Sequence, residues 1–447
     1  MMDRPPESAT IADTSAADPR FRRLLGTKLC ADIAENALAY ALLIAIVRRT
    51  ESGIHSTLLV VAFTLPAIIF GLPAGAIADR LPKRLVLLTA LVLRVALIVL
   101  LYRSIDDVWR TYAIIFVFAA LGQVFGPIWI ALLPQLVGVQ RLSRANALLN
   151  FTQLGGQVLG VVMLAPILLK TVGDRAVFLV AAAFLVGAIV MSVRLGALPA
   201  ATHPATVSVD AVAEARSGLL AGWRVIDADD RAYTAVVQLT IVTCILKNLL
   251  VLFPYYTRQV LAIAPENTVY VAAPAALGVA LGLLLAPPLG VIGRSRLATV
   301  GFVALILSLA SLATVNLLRP LIADHLHLGL TGLADFVAVP PIVTTAMLFA
   351  TPLGLGVSLN LVAARTVLNE RLPAGMQARA FATQNALANV AALVPLFITG
   401  ALTSLIGARP VMLGTAIIAA ALPIFLTRRR AARRNQATLH SSQQVTT

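Results

Sequence analysis

Charged residues are scarce in this chain. Asp, Glu, Lys and Arg make up only 12% of its 447 residues, whereas a soluble domain carries about 25%. Hydrophobic residues account for 59%, and the mean hydropathy is +0.90. This composition excludes an ordinary soluble domain and predicts an integral membrane protein built from long apolar helices.

Lysine, cysteine and clustered polar residues are also scarce. The four lysines are Lys28, Lys83, Lys170 and Lys247. None follows a glycine, which excludes the Gly-Lys-Ser/Thr loop of an ATP-driven pump. Cys30 and Cys244 lie in apolar runs and predict no disulfide framework. His325 and His327 lack a third ligand at suitable spacing, so we expect no metal site. The remaining polar groups are scattered singly, which argues against an enzyme.

Twelve apolar runs are long enough to cross a bilayer. They lie near 24–47, 56–78, 84–102, 110–136, 145–169, 176–195, 232–256, 268–292, 297–318, 341–364, 380–405 and 409–427. The sequence thus predicts an all-α membrane protein whose parts are a disordered cytoplasmic tail (1–20), an N-terminal six-helix bundle (21–195), a cytoplasmic linker (196–231), a C-terminal six-helix bundle (232–427) and a basic cytoplasmic tail (428–447). A second insertion, 320–340, is expected to be an outer loop.

Basic residues are unevenly distributed between the two sides. With the amino terminus inside, 23 of the 35 Lys and Arg fall on cytoplasmic segments and nine on outer segments. This excess predicts that both termini are cytoplasmic, in the plasma or inner membrane of a cell. It also accounts for the formal charge of +15 without a nucleic-acid partner.

The two halves share short internal repeats. The segment "FGLPAGAIADRLPKR" (70–84) matches "LGLLLAPPLGVIGRSR" (281–296) at an offset of 211, and "LPQLVGVQRLSRANA" (133–147) matches "LNERLPAGMQARAFA" (368–382) at an offset of 235. These matches occupy corresponding loops, which predicts two similar bundles. Such repeats are typical of secondary transporters with a site between the halves.

The segment "GAIADRLPKR" resembles the signature between spans two and three of the major facilitator superfamily. The matching residues are Gly75, Asp79, Arg80, Lys83 and Arg84. The resemblance implies twelve helices in two pseudo-symmetric bundles, transport by alternating access, and a conformational gate at these five residues. The alternative is a basic loop that only fixes the topology.

Two further segments resemble particular branches of this superfamily. "LLPQLVGVQRLSRANALLN" is similar to macrolide and siderophore exporters, and "AENALAYALLIAI" resembles the first span of lysophospholipid transporters. The first resemblance implies a multidrug-type antiporter, in which the proton-motive force drives efflux of amphipathic drugs or siderophores. The second implies movement of lysophospholipid between leaflets. We expect no cofactor besides the proton gradient, no partner besides substrate and bilayer, and a monomer.

Four ionisable residues lie well inside predicted spans: Asp32, Glu35, Arg94 and Lys247. An unpaired charge facing lipid at mid-bilayer costs about 2.5–3.5 kcal/mol or more, so each is expected to face a partner or water. Asp32 follows Lys28 by four residues, so a helix-face ion pair is an alternative to a transport role. For Arg94 we expect a structural partner within the N-terminal bundle.

An offset of 212 places Glu35 on Lys247 and Asn36 on Asn248. In the superfamily the first and seventh helices line the central cavity, so the resemblance places this acid and base on one pathway. We predict that Glu35 and Lys247 lie close together or share a hydrated cavity, where protonation is coupled to transport. The alternative is a static ion pair that fixes helix packing.

Overall fold

The structure is a computed structural model, and it describes residues 19–50, 52–137, 142–195, 211–325 and 339–421. The predicted tails fall largely outside this part, as do the first half of the linker and most of the outer insertion. The described residues form helices, turns and short connections and contain no β-strand.

Sixteen α-helices account for most of the described chain. In order, α1 to α16 are Pro19–Thr50, Gly53–Arg80, Lys83–Ser104, Val108–Gly122, Phe125–Val137, Leu142–Val158, Ala165–Thr171, Asp174–Val193, Ala211–Ala228, Asp230–Gln259, Val269–Leu289, Arg294–Ala313, Val315–His325, Pro341–Arg371, Ala374–Ile406 and Ala408–Ala420. A π-helix, Leu159–Leu164, joins α6 to α7.

Eleven helical segments of the described chain are long and apolar enough to cross a membrane. A twelfth, Ala408–Ala420, is apolar but shorter, and residues after 421 lie outside the described part. Each of these twelve segments overlaps one of the twelve predicted spans. The all-α, multi-pass membrane fold predicted from the sequence is therefore confirmed.

Local sequence explains where several helices begin. Asp107 accepts hydrogen bonds from the backbone N–H groups of Trp109 and Arg110 at the start of α4. Asp229 does the same for Arg231 and Ala232 at the start of α10. Each carboxylate satisfies N–H groups that have no partner within the helix.

The chain divides into two compact units by its contacts. We call the described residues within 1–50 and 58–212 the N-terminal unit, and the described residues within 51–57 and 213–447 the C-terminal unit. The short segment 51–57 was predicted to belong to the first half. It belongs to the C-terminal unit because its polar groups bond there: the Ser56 hydroxyl lies 3.0 Å from the Tyr255 hydroxyl.

The structure shows helix in three of the predicted tail, linker and loop segments. Helix α1 begins at Pro19, so the last two residues of the predicted disordered tail are helical. The outer insertion begins as helix α13, which continues to His325, whereas His327 lies outside the described residues. The second half of the linker forms α9, where Thr383 donates a hydrogen bond of 3.1 Å to the carbonyl of Leu219. Helix α9 was not predicted because its apolar residues are interspersed with charges.

The internal repeat is reflected in helix positions. Helix α10 begins 211 residues after α1, and α12 begins 211 residues after α3. The two repeated turns are nevertheless built differently. Pro82 precedes α3 with a φ of −55°, whereas Gly293 precedes α12 with a φ of +98°, a conformation that favours glycine.

Glycines allow α11 and α14 to approach closely in the C-terminal unit. A Cβ atom on Gly278 would overlap the carbonyl oxygen of Thr351, and one on Gly354 would overlap that of Ala275. The contact is reciprocal, because each helix offers a glycine to the other's backbone. Small residues at helix interfaces permit this approach in membranes.

Replacing Gly278 by Ala is expected to destabilise the protein by about 1–3 kcal/mol, because backbone must move to admit the methyl group. Gly414→Ala is the matched control, since a Cβ atom there has no neighbour within 4 Å. Thermal unfolding of the detergent-solubilised chain measures both. Equal melting temperatures for the two variants would contradict the close contact.

Candidate functional site

The polar residues of α1 lie on one partly accessible face. Asp32, Glu35, Asn36 and Ala39 are half-buried, and the residues between them are buried. Spacings of three and four residues put these positions on the same side of a helix. The first span therefore has a polar stripe in an otherwise apolar surface.

Asp32 is paired within its own helix. Its carboxylate lies 2.9 Å from the Lys28 ammonium, four residues earlier. The backbone carbonyl of Asp32 accepts a hydrogen bond of 2.8 Å from the Asn36 amide. The structure thus contains the helix-face ion pair that was the alternative to a transport role. This pair neutralises the charge of Asp32 locally.

Glu35 is paired with Arg94 on α3. Its Oε2 atom lies 2.6 Å from Arg94 Nη2. The two side chains differ in burial: Arg94 is fully buried, whereas 40% of the Glu35 side chain is exposed. The short distance is typical of a strong charge-assisted hydrogen bond. A buried cation is therefore neutralised by an acid whose own side chain is partly exposed.

Aromatic residues complete the surroundings of Arg94. Its guanidinium carbon lies 3.8 Å from the ring centroid of Phe118 and 5.2 Å from that of Phe125. Gly122 leaves room, since a Cβ atom there would touch Arg94 Nη2 at 3.5 Å. The Nε and Nη1 atoms are buried without a hydrogen-bond partner among the described residues. Glu35 is thus the anion on which this guanidinium depends.

Helix α6 and the π-helix pack against the polar segment of α1. A Cβ atom on Gly156 would lie 2.6 Å from that of Asp32, and one on Gly160 would lie 2.8 Å from the Ile33 carbonyl oxygen. The π-helix Leu159–Leu164 lies at this contact. Such π segments occur frequently at functional sites, and this one adjoins the helix that carries Glu35.

Lys247 and Asn248 lie on α10 in the C-terminal unit. The Lys247 ammonium donates a hydrogen bond of 2.9 Å to the Asn389 side-chain oxygen on α15. Asn248 is 4% exposed, and its side-chain oxygen has no hydrogen-bond partner among the described residues. Glu35 and Lys247 belong to different units. That they lie close together or share a cavity stays a prediction.

A mainly apolar cavity of about 580 Å³ lies between α10, α15 and α16. Asn248 lines it together with apolar residues such as Leu402, Ile406 and Ile418. These three apolar side chains are 37–76% exposed. Sequence reasoning missed this cavity, because the cavity depends on how three helices pack together.

The five residues predicted to form a gate lie at the junction of α2 and α3. Gly75, Asp79 and Arg80 are in the last turns of α2, where only the backbone is described. Lys83 begins α3 and is 9% exposed. Arg84 donates a hydrogen bond of 2.8 Å to the carbonyl of Val193, which links α3 to the end of α8.

Sequence reasoning missed the partner of Glu35. The signal was present, because Arg94 is the one base placed well inside a predicted span of the first half. The repeat directed attention to Lys247 instead. Among the described residues, no group of three or more His, Cys, Asp or Glu is arranged to hold a metal ion.

Comparison with known families resolves the class of protein. The Major Facilitator Superfamily model matches residues 24–352. The chain belongs to the major facilitator superfamily. It is accordingly a membrane transporter and not an enzyme. Comparison with curated proteins finds no match.

Solved structures agree with this superfamily's fold. The nucleoside transporter NupG is 11% identical with a TM-score of 0.68, covering 92% of this chain and 98% of its own. A bacterial homologue of the human lysosomal transporter Spinster is 13% identical with a TM-score of 0.66, covering 92% and 97%. A POT family transporter in complex with 5-aminolevulinic acid is 11% identical with a TM-score of 0.67, covering 91% and 95%. At these identities the likeness concerns the fold alone.

Proposed function

We propose that this transporter exports amphipathic small molecules, such as drugs or siderophores, in exchange for protons. The observation that carries the proposal is the pair formed by Glu35 and Arg94. An accessible acid that neutralises a buried cation is a group whose protonation has structural consequences.

Protonation of Glu35 would remove the negative charge that Arg94 requires. A buried guanidinium without a counter-ion is unfavourable by several kcal/mol. Arg94 would then have to move, or another anion or water would have to reach it. Either response changes the packing of α1 against α3, so proton binding and helix arrangement are coupled.

The remaining parts of the proposal follow from the sequence. The proton gradient supplies the energy without a cofactor. The protein acts as a monomer in the plasma or inner membrane. Both of its termini lie in the cytoplasm. Glu35, Lys247, Asn36 and Asn248 contribute to the pathway for protons and substrate. The junction of α2 and α3 acts as the conformational gate.

A second candidate is transport of lysophospholipid between leaflets. It is favoured by the apolar cavity between α10, α15 and α16, whose wall includes exposed Leu402, Ile406 and Ile418. An acyl chain is the natural occupant of such a surface inside a membrane. Coupling to protons is not required in this case.

Reconstitution of the purified chain into liposomes tests both candidates. We expect an imposed pH gradient to drive uptake of an amphipathic cationic dye or a siderophore, and a protonophore to stop it. Protein-free liposomes control for passive entry. Lysophospholipid movement that persists with protonophore would favour the second candidate, and no flux of any compound would contradict both.

A further inference from the structure

A second cavity in the C-terminal unit combines charge with an apolar wall. It has a volume of about 730 Å³ and lies between the start of α10, α12 and the end of α14. Its polar end includes Arg231, Ser295 and Arg296, and its apolar side includes Val300, Val303 and Leu307. We call this cavity the α10–α12 groove.

The polar end of the groove carries excess positive charge. Two neighbouring arginines are neutralised: Arg294 lies 3.3 Å from Glu370, and Arg371 lies 3.8 Å from Asp229. Arg231 and Arg296 are exposed and form no salt bridge with a described residue. Two guanidinium groups are therefore free to bind an anion. Arg231 and Arg296 also line an adjoining cavity of about 290 Å³ together with the two neutralised arginines.

The apolar side follows one face of α12. Val300, Val303 and Leu307 are 55%, 40% and 61% exposed, and their spacing continues the face on which Arg296 lies. From Arg296 to Leu307 the helix rises by roughly 16 Å. Because Arg294–Ala313 is a membrane-spanning segment, this wall lies where acyl chains are the surrounding solvent.

We propose that the α10–α12 groove binds an anionic phospholipid. The Arg231 and Arg296 guanidinium groups contact the phosphate, and one acyl chain lies against Val300, Val303 and Leu307. Basic pockets between membrane helices provide this chemistry for acidic head groups. A water-soluble anion would leave the apolar side uncovered, and a zwitterionic lipid would not neutralise the two arginines.

Lipid titration of the full-length chain in detergent tests the proposal. We expect phosphatidylglycerol to raise the melting temperature and to bind more tightly than phosphatidylcholine. In the double variant Arg231→Gln/Arg296→Gln, the apparent affinity for phosphatidylglycerol should fall roughly 25-fold, since each basic side chain near an anionic lipid contributes roughly a factor of five. Arg319→Gln/Arg409→Gln, which removes two arginines elsewhere in this unit, is the control and should retain it.

A second variant tests the apolar side without changing charge. Val303→Trp fills the groove and is expected to weaken phosphatidylglycerol binding. Glycerol phosphate, which has no acyl chain, should leave the wild-type melting temperature unchanged. Equal stabilisation by phosphatidylglycerol and phosphatidylcholine would overturn the proposal, as would full phosphatidylglycerol binding by both the double variant and Val303→Trp. A response to glycerol phosphate equal to that of the lipid would point to a free-anion site and also overturn it.

Discussion

Glu35→Gln is expected to abolish transport driven by a pH gradient while leaving a folded protein. Glutamine has nearly the same shape, and its side-chain oxygen can still accept the hydrogen bond from Arg94 Nη2. It cannot bind or release a proton. The change therefore removes the titratable group and keeps the contact.

The measurement is dye or siderophore uptake into liposomes with and without an imposed pH gradient. Glu370→Gln is the matched control, because Glu370 also pairs with an arginine, Arg294, but 53% of its side chain is exposed. We expect wild-type uptake from this control. Full gradient-driven uptake by Glu35→Gln would show that another group couples protons to transport.

Glu35→Leu is expected to destabilise the protein by about 3–5 kcal/mol, because it leaves a buried cation without a counter-ion. Arg94→Met should have a smaller effect. The charge that remains in that variant is Glu35, which is 40% exposed and can be hydrated. The two halves of one ion pair are thus expected to differ because their burial differs.

The double variant Glu35→Leu/Arg94→Met separates charge from packing. Since both charges are gone, we expect it to be more stable than Glu35→Leu alone. Denaturant or thermal unfolding in detergent measures all three variants. Glu370→Leu provides the surface comparison, where loss of an exposed pair changes stability by about 0–1 kcal/mol. A double variant as unstable as Glu35→Leu would contradict a charge-based origin.

The stability and transport results together separate the two views of Glu35. A pair that only fixes packing predicts that Glu35→Gln lowers stability and leaves gradient-driven uptake unchanged in the surviving protein. A coupling site predicts loss of gradient-driven uptake in the folded Glu35→Gln protein, whatever its loss of stability. The pair observed between Glu35 and Arg94 permits both views, so transport and stability must be measured on the same preparations.

Much of the fold could be predicted from the sequence. The twelve spans follow from the lengths of the apolar runs, because a helix that crosses a bilayer must satisfy its own backbone and present an apolar surface. The offset of 211 between the halves reappears in the starts of α1 and α10. Helix α9 was missed, since an amphipathic helix beside a bundle has neither a long apolar run nor a repeat.

The candidate site was predicted only in part. The sequence singled out Glu35, Arg94 and Lys247, because charges inside a membrane are expensive and therefore need partners. Their partners depend on which helix faces meet. Arg94 lies 59 residues from Glu35 in the chain, and no local spacing relates them.

The sequence by itself determined the spans, the two-fold repeat and the small set of charged residues that must be neutralised inside the membrane. Composition and periodicity suffice for these, since the bilayer acts on each helix separately. Only the tertiary structure decided that Glu35 is held by Arg94, that Lys247 contacts Asn389, and that Arg231 and Arg296 meet at one groove. Those outcomes depend on helix rotation and packing, where glycines such as Gly160 and Gly278 let backbones touch and thereby fix which side chains become neighbours.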